Sequence, residues 1–169
     1  MPLKHIWTPW RMPYVTGHTK REGCVFCQMV AQDVQYDPEN YILHRGRRVF
    51  AVLNLYPYNN GHLMVLPYDH LASPEQLAAE TQADMMYLVS YFVDIMRRAM
   101  SPAGFNVGIN LGRAAGAGIV DHVHIHVVPR WNGDTNFMPV ISETRVIPEM
   151  LDDTYRNLRS VIGQNPPPC

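Results

Sequence analysis

An excess of charge of either sign is absent from this chain: 14 Lys and Arg stand against 15 Asp and Glu, a formal charge of −1 over 169 residues. That leaves no global basic footprint for duplex nucleic acid and favours small anionic ligands, held in a local pocket, over long polyanions. Cysteine is scarce and odd in number, with Cys24 and Cys27 in a CVFC stretch and Cys169 at the end. Three cysteines so placed are no disulfide framework and fit a reducing, cytoplasmic setting. Long apolar runs are missing too. The opening MPLKHIWTPWRMPYV has no continuous apolar core of a signal peptide, and no stretch reaches the roughly 18 apolar residues that span a bilayer. The expectation is a cytoplasmic protein with neither a membrane nor a nucleic-acid partner.

Apolar residues are plentiful, 47% of the chain, enough for one compact domain with a proper core. Residues 1–23 carry three prolines and the tryptophans Trp7 and Trp10, and read as an irregular arm pinned down by the indoles. VFAVLN (49–54) and GHLMVLP (61–67) read as two strands of a hairpin joined by the turn chemistry of LYPYNN, with a shorter strand at 41–44 before RGRR. From Pro74 to Met100, Met85, Leu88, Val89, Phe92, Ile95, Met96 and Ala99 recur at helical spacing, with Ser73 as the N-cap and Pro74 at the first helical position. FNVGINLG (105–112) is a strand, RAAGAG a small-residue loop, and 148–162 a second helix with Met150, Leu151, Tyr155, Leu158 and Ile162 on one side. The tail 164–169 is expected to be disordered. The order of elements predicts an α+β fold: a mainly antiparallel sheet, one long helix on a face of it, and a C-terminal helix.

DHVHIHVVPR (121–130) then places His122, His124 and His126 at strict alternation. On a strand they share one face, neighbouring rings about 6.5–7 Å apart, while Val123, Ile125 and Val127 face the helix. Three chemistries fit: a hydrogen-bonded polar face, ligands to a catalytic metal such as zinc, or a nucleophile on phosphorus. Neutral imidazole is abundant at pH 7 and attacks phosphate without a separate base. The upstream NLGRAAGAG (110–118) tips the balance toward phosphorus, because its glycines and alanines let backbone N–H groups approach an anion closely.

HVHIHVV (122–128), LNLYPYNNGHLMVLP (53–67), FNVGINLG (105–112) and PRWNGDTNF (129–137) together resemble, in the same order, the segments of the histidine triad (HIT) superfamily of nucleotidyl hydrolases and transferases. With WTPWRMPY near the start, the likeness is closest to the bacterial branch that includes diadenosine tetraphosphate (Ap4A) phosphorylases. The resemblance implies a HIT-like domain over residues 24–163 and a homodimer. It implies that His124 attacks the α-phosphate to form a nucleotidyl-imidazole, that His126 donates to the phosphate, and that a backbone carbonyl orients the nucleophile with His62 nearby in support. Asn110 would lie beside the phosphate and Asn54 would hold the ribose, unless Asn54 merely initiates a turn. Phe26, Val52 and Leu55 would flank the base. Trp131 would cover the site or stack on a second base, unless it is core or interface. Many HIT members carry Ser or Thr in the loop before the triad. Here Ala117, Gly118 and Ile119 stand there, so backbone N–H groups must replace a hydroxyl.

One CxxC supplies only two of four metal ligands. The resemblance supplies the other two, His70 and His122, implying a structural zinc on Cys24, Cys27, His70 and His122. Four functions follow to be told apart: phosphorolysis or hydrolysis of dinucleoside polyphosphates through His124, hydrolysis of nucleoside phosphoramidates, nucleotide binding without turnover, and a zinc hydrolase using the triad as ligands.

Overall fold

The computed structural model describes residues 23–134 and 149–167. The arm with Trp7 and Trp10, and Cys169, lie outside the described residues. Five strands, β1 (Ile42–Arg45), β2 (Val49–Leu53), β3 (Leu63–Pro67), β4 (Gly104–Ile109) and β5 (Ile125–Arg130), form one antiparallel sheet in the order β1-β2-β3-β5-β4. The helices are α1 (Val25–Val30), α2 (Ala79–Met100) and α3 (Leu151–Gln164). The α+β class read from the sequence is the one observed.

β2 and β3 are buried at every position, because the sheet is covered on both sides. Val49, Ala51, Leu53, Leu63 and Val65 join Leu88, Phe92 and Ile95 of α2 and Leu158 of α3 in the main core. Phe50, Val52, Met64 and Leu66 point the other way, onto Phe26 and Met29 of α1. This short helix has no counterpart in the sequence reading, since six residues are too few for a helical period to show. It places Cys24 and Cys27 beside the triad face.

The long helix begins later than expected. Pro74–Gln76 forms a separate 3-10 turn, Leu77 and Ala78 are extended, and α2 starts at Ala79 with no side-chain cap. Ser73 and Pro74 therefore start only that turn. Leu77 turns into the core, almost wholly buried, and an extended backbone there interrupts the helix. The apolar stripe is as read, with Met85, Leu88, Val89, Phe92, Ile95 and Met96 all buried. At the far end Ser101 is left-handed and Pro102 follows, which prevents continuation. Met150 is 72% exposed and precedes α3 rather than packing on its apolar side. Tyr155 and Arg159 of α3 bind the Ile42 and Leu43 carbonyls of β1 at 3.1 and 2.9 Å. Gln164 closes α3, and the Asn165 carbonyl accepts from Tyr91 Oη at 2.6 Å.

The histidine segment is only partly strand. β5 starts at Ile125, where β4 ends at its partner Ile109, so His122, Val123 and His124 lie ahead of the ladder. There the Val123 N–H bonds the Leu71 carbonyl at 2.7 Å. Alternation survives this, with Val123, Ile125 and Val127 in the main core and the histidines opposite. Release from the ladder lets the His122 end bend toward α1 and the segment after β3.

Candidate functional site

His124 sits between its two neighbours, 6% exposed, its ring centroid 4.8 Å from that of His126 and perpendicular to it. That is closer than the 6.5–7 Å expected from strand rise, because the rings turn toward each other edge to face. Nδ1 lies 2.9 Å from the His122 carbonyl oxygen. A carbonyl only accepts, so Nδ1 carries the proton and Nε2 keeps its lone pair. Burial pushes the pKa of His124 down, more than the His122 carbonyl raises it, and so holds the ring neutral. An uncharged imidazole with a fixed tautomer is the nucleophilic form.

His126 is set by a chain that begins in the backbone. The Tyr58 N–H donates to His62 Nδ1 at 3.0 Å, and His62 Nε2 lies 3.0 Å from His126 Nδ1. With its Nδ1 accepting, neutral His62 carries its proton on Nε2 and donates to His126 Nδ1. His126 then carries its proton on Nε2, the nitrogen that faces Asn110. His62 is fully buried, and Tyr58 stacks on it at 4.6 Å between centroids. The preceding Gly61 is required: it has φ +73°, and a Cβ there would lie 2.8 Å from Met100 Sδ. Tyr58 escaped the sequence reading, because its contribution is a main-chain N–H with no residue signature.

Other implied residues gather here to different degrees. The Asn110 carboxamide is 3.5 Å from His126 Nε2, and that of Asn54 is 3.5 Å from His62 Nε2. Asn54 also accepts the Tyr56 N–H at 2.9 Å, so its turn role is present. Phe26 packs against both His122 and His124 at 5.5 Å, with Val52 buried on the same side, whereas Leu55 is 49% exposed. In the loop, the Ala117 N–H is taken by the Gly112 carbonyl at 3.2 Å; among the described residues, Gly118 N–H donates to no backbone carbonyl. Trp131 is half-buried, its indole N–H donating to the Met100 carbonyl at the end of α2 at 3.2 Å. Neither its indole N–H nor its backbone N–H, which bonds Asp134 at 3.1 Å, is directed to the triad.

The first histidine turns away from the other two. Its Nδ1 is 3.4 Å from Cys24 Sγ and 3.6 Å from Cys27 Sγ, and Cys27 Sγ is 3.3 Å from His70 Nδ1. The four ligand atoms all lie within 4.8 Å of one another. Zinc bonds of 2.3 Å to sulfur and 2.0–2.1 Å to nitrogen at the tetrahedral angle put S and N about 3.5 Å apart. The donor set and these three sulfur–nitrogen edges thus fit a tetrahedral metal. His122 Nε2 donates to the Pro67 carbonyl at 2.9 Å, leaving Nδ1 as the ligand atom, the outer hydrogen bond usual for a metal-bound histidine. Burial, and then Cys24, raise the pKa of Cys27, an arrangement that a divalent cation would reverse. A catalytic metal on the triad itself is not what the geometry offers: His122 faces the thiols while His124 and His126 face each other.

Comparison with known proteins agrees with this geometry. A family profile described as the HIT domain matches residues 37–133. The chain is 41% identical over 169 residues to an AP-4-A phosphorylase of Mycobacterium tuberculosis, covering 97% of this chain and 87% of that one. It is 34% identical over 110 residues to the adenosine 5'-monophosphoramidase hnt1 of Schizosaccharomyces pombe, covering 65% and 76%. Among solved structures, a zinc-bound histidine triad family protein from Mycobacterium smegmatis superposes with a TM-score of 0.67 at 27% identity, covering 84% of this chain and 94% of that one. With the profile covering more than half of the sequence and its histidines arranged as above, the chain belongs to the HIT domain family.

Proposed function

We propose that this protein is an enzyme cleaving dinucleoside polyphosphates of the Ap4A type, with phosphate as the acceptor. The carrying observation is the carbonyl of His122 on Nδ1 of His124, which leaves Nε2 as the attacking atom. Nε2 forms a bond to the α-phosphorus as the bond to the bridging oxygen breaks, and that oxygen leaves with the remaining nucleotide, ATP when the substrate is Ap4A. The ring becomes cationic, and its Nδ1–H to the carbonyl stabilises the charge. His126 Nε2–H, fixed through His62, donates to the non-bridging oxygens, with Asn110 and the Gly118 N–H beside them. A phosphate oxygen then displaces His124 and gives ADP; water would give AMP. Phosphorolysis is favoured by the likeness to the phosphorylase over nearly the whole chain. Loss of the loop hydroxyl, Ala117 and Gly118 standing there, weighs against phosphoramidate hydrolysis.

In this reading Asn54 holds the ribose, and Trp131, fixed to the end of α2, offers its ring to the substrate at the rim. Zinc on Cys24, Cys27, His70 and His122 supplies a structural tie and no chemistry of the reaction. These residues hold the His122 end of the segment, and with it the carbonyl that orients His124. A homodimer through β4 is supported by the sheet order, which leaves β4 at an edge, and by exposed Val107, Ile109 and Leu111. No helix among the described residues is long and apolar enough to cross a membrane, and Cys24 and Cys27, which form no disulfide, fit a cytoplasmic setting.

Incubation with Ap4A, with and without phosphate, tests the reading. ADP plus ATP formed only with phosphate is the expected result, together with a nucleotidyl-protein adduct trapped by alkaline quench and absent from His124→Ala. Undiminished turnover by His124→Ala, or nucleotide binding with no turnover of any substrate, would sink it.

A further inference from the structure

The triad face continues past His126. Val128 and Arg130 follow on the same side of β5, and their partner on β4 at the Val128 rung is Asn106. With Tyr58 and Asn59 from the β2–β3 turn, Asn106, Val128 and Arg130 line a cavity of about 350 Å³. That lies within the range of small-ligand sites. The β4 residue paired with His126 is Gly108, where a Cβ would meet nothing within 4 Å. Space is therefore open beside His126, at the same-face rung next to the one formed by the cavity residues Asn106 and Val128. Arg130 lies four residue steps beyond His126 on β5, about 13 Å of strand. The bridging phosphates and ribose of a leaving nucleotide cover a comparable span.

The lining carries little net charge. Arg130 donates to both Asp134 oxygens, at 2.6 and 2.8 Å, and to Asn106 Oδ1 at 2.8 Å. So neutralised, it makes a poor site for a free anion. What remains is amide chemistry between apolar walls. Asn106, its oxygen taken by Arg130, offers an amide N–H. Asn59 spends its nitrogen on the Pro129 carbonyl and Asp134, at 3.1 and 2.9 Å, and keeps its oxygen as an acceptor. Tyr58 and Val128 give apolar surface. A donor and an acceptor between such walls recognise a heteroaromatic base.

We infer that this cavity holds the distal nucleoside of a dinucleoside polyphosphate, the one that departs with the leaving nucleotide. The inference rests on the reading of His124 given above. It makes Asn106 and Asn59 specificity residues that select for substrates bearing a base at both ends.

Ap4A and adenosine tetraphosphate differ only by the distal adenosine, and kcat/KM for each, with phosphate as acceptor, tests the subsite. The wild type is expected to favour Ap4A, and Asn106→Leu to reduce that preference roughly fivefold to tenfold, the worth of one neutral hydrogen bond. Gly108→Val, which places methyl groups in the open space between His126 and the cavity, at a position with room for them, is expected to reduce it as well. Equal use of both substrates by the wild type, or a proportional loss on both in Asn106→Leu, overturns the subsite. Turnover of neither substrate by the wild type overturns the His124 reading itself and the subsite with it.

Discussion

Replacing His62 by phenylalanine keeps a ring of similar size against Tyr58 and deletes both nitrogens. His62 is fully buried, so nothing in solvent replaces its two partners, the Tyr58 N–H and His126 Nδ1, each 3.0 Å away. An unpaired buried donor or acceptor costs about 1–3 kcal/mol. Two of them, with some local relaxation, give a destabilisation of about 2–4 kcal/mol, or roughly 5–15 °C in Tm for a chain of this size. The effect on chemistry is separate. With His126 no longer held to one tautomer and one orientation, its donor to the phosphate is lost for part of the time, and adduct formation should slow by about 10- to 100-fold. His62→Gln is the control, since one carboxamide can accept from Tyr58 and donate to His126. It should recover part of both losses, whereas phenylalanine fills the space better. Thermal unfolding and single-turnover formation of the nucleotidyl adduct give the two numbers, and ¹⁵N shifts of His126 report its tautomer. Phenylalanine matching the wild type in rate and in tautomer, or outperforming glutamine in rate, would refute the relay.

Metal and pH give two further tests. Wild-type protein should hold about one zinc ion per chain by elemental analysis, and Cys27→Ser should lower both that content and Tm; a metal-free wild type of unchanged stability would remove the structural role. Because burial depresses the pKa of His124, the acid limb of adduct formation should fall below the ordinary imidazole value of 6.5. The same depression means the folded chain binds fewer protons than the unfolded one, so this stability contribution is present above 6.5 and is lost as pH falls through the folded pKa. An acid limb above 6.5 in a pH–rate profile contradicts it.

Period alone carried much of this molecule. The apolar stripe of α2, the antiparallel pair β2 and β3, and the opposite facing of the histidines against Val123, Ile125 and Val127 are consequences of backbone repeat and of burial of one face. The failures were local. Ser73-Pro74 has the chemistry of a helix start, yet burial of Leu77 takes the chain out of the helix for two residues. Helix α1 is too short to show a period, and only its packing through Phe26 and Met29 gives it a reason to form. Met150 sits one step before α3, too early to share its buried side.

By itself the sequence determined which residues could do chemistry: three alternating histidines, a small-residue loop before them, and two thiols at a metal-binding spacing. The likeness to the family already implied separate roles for the three histidines, but only the tertiary structure supplies the contacts that distinguish them. Release of residues 122–124 from the ladder turns His122 toward Cys24, Cys27 and His70 and brings its carbonyl to His124. The fold of the β2–β3 turn brings the Tyr58 N–H to His62 and, through it, a proton to the outer nitrogen of His126. A side chain's identity is written in the sequence, but which of its two nitrogens holds the proton depends on the hydrogen-bond partner that packing brings to the other.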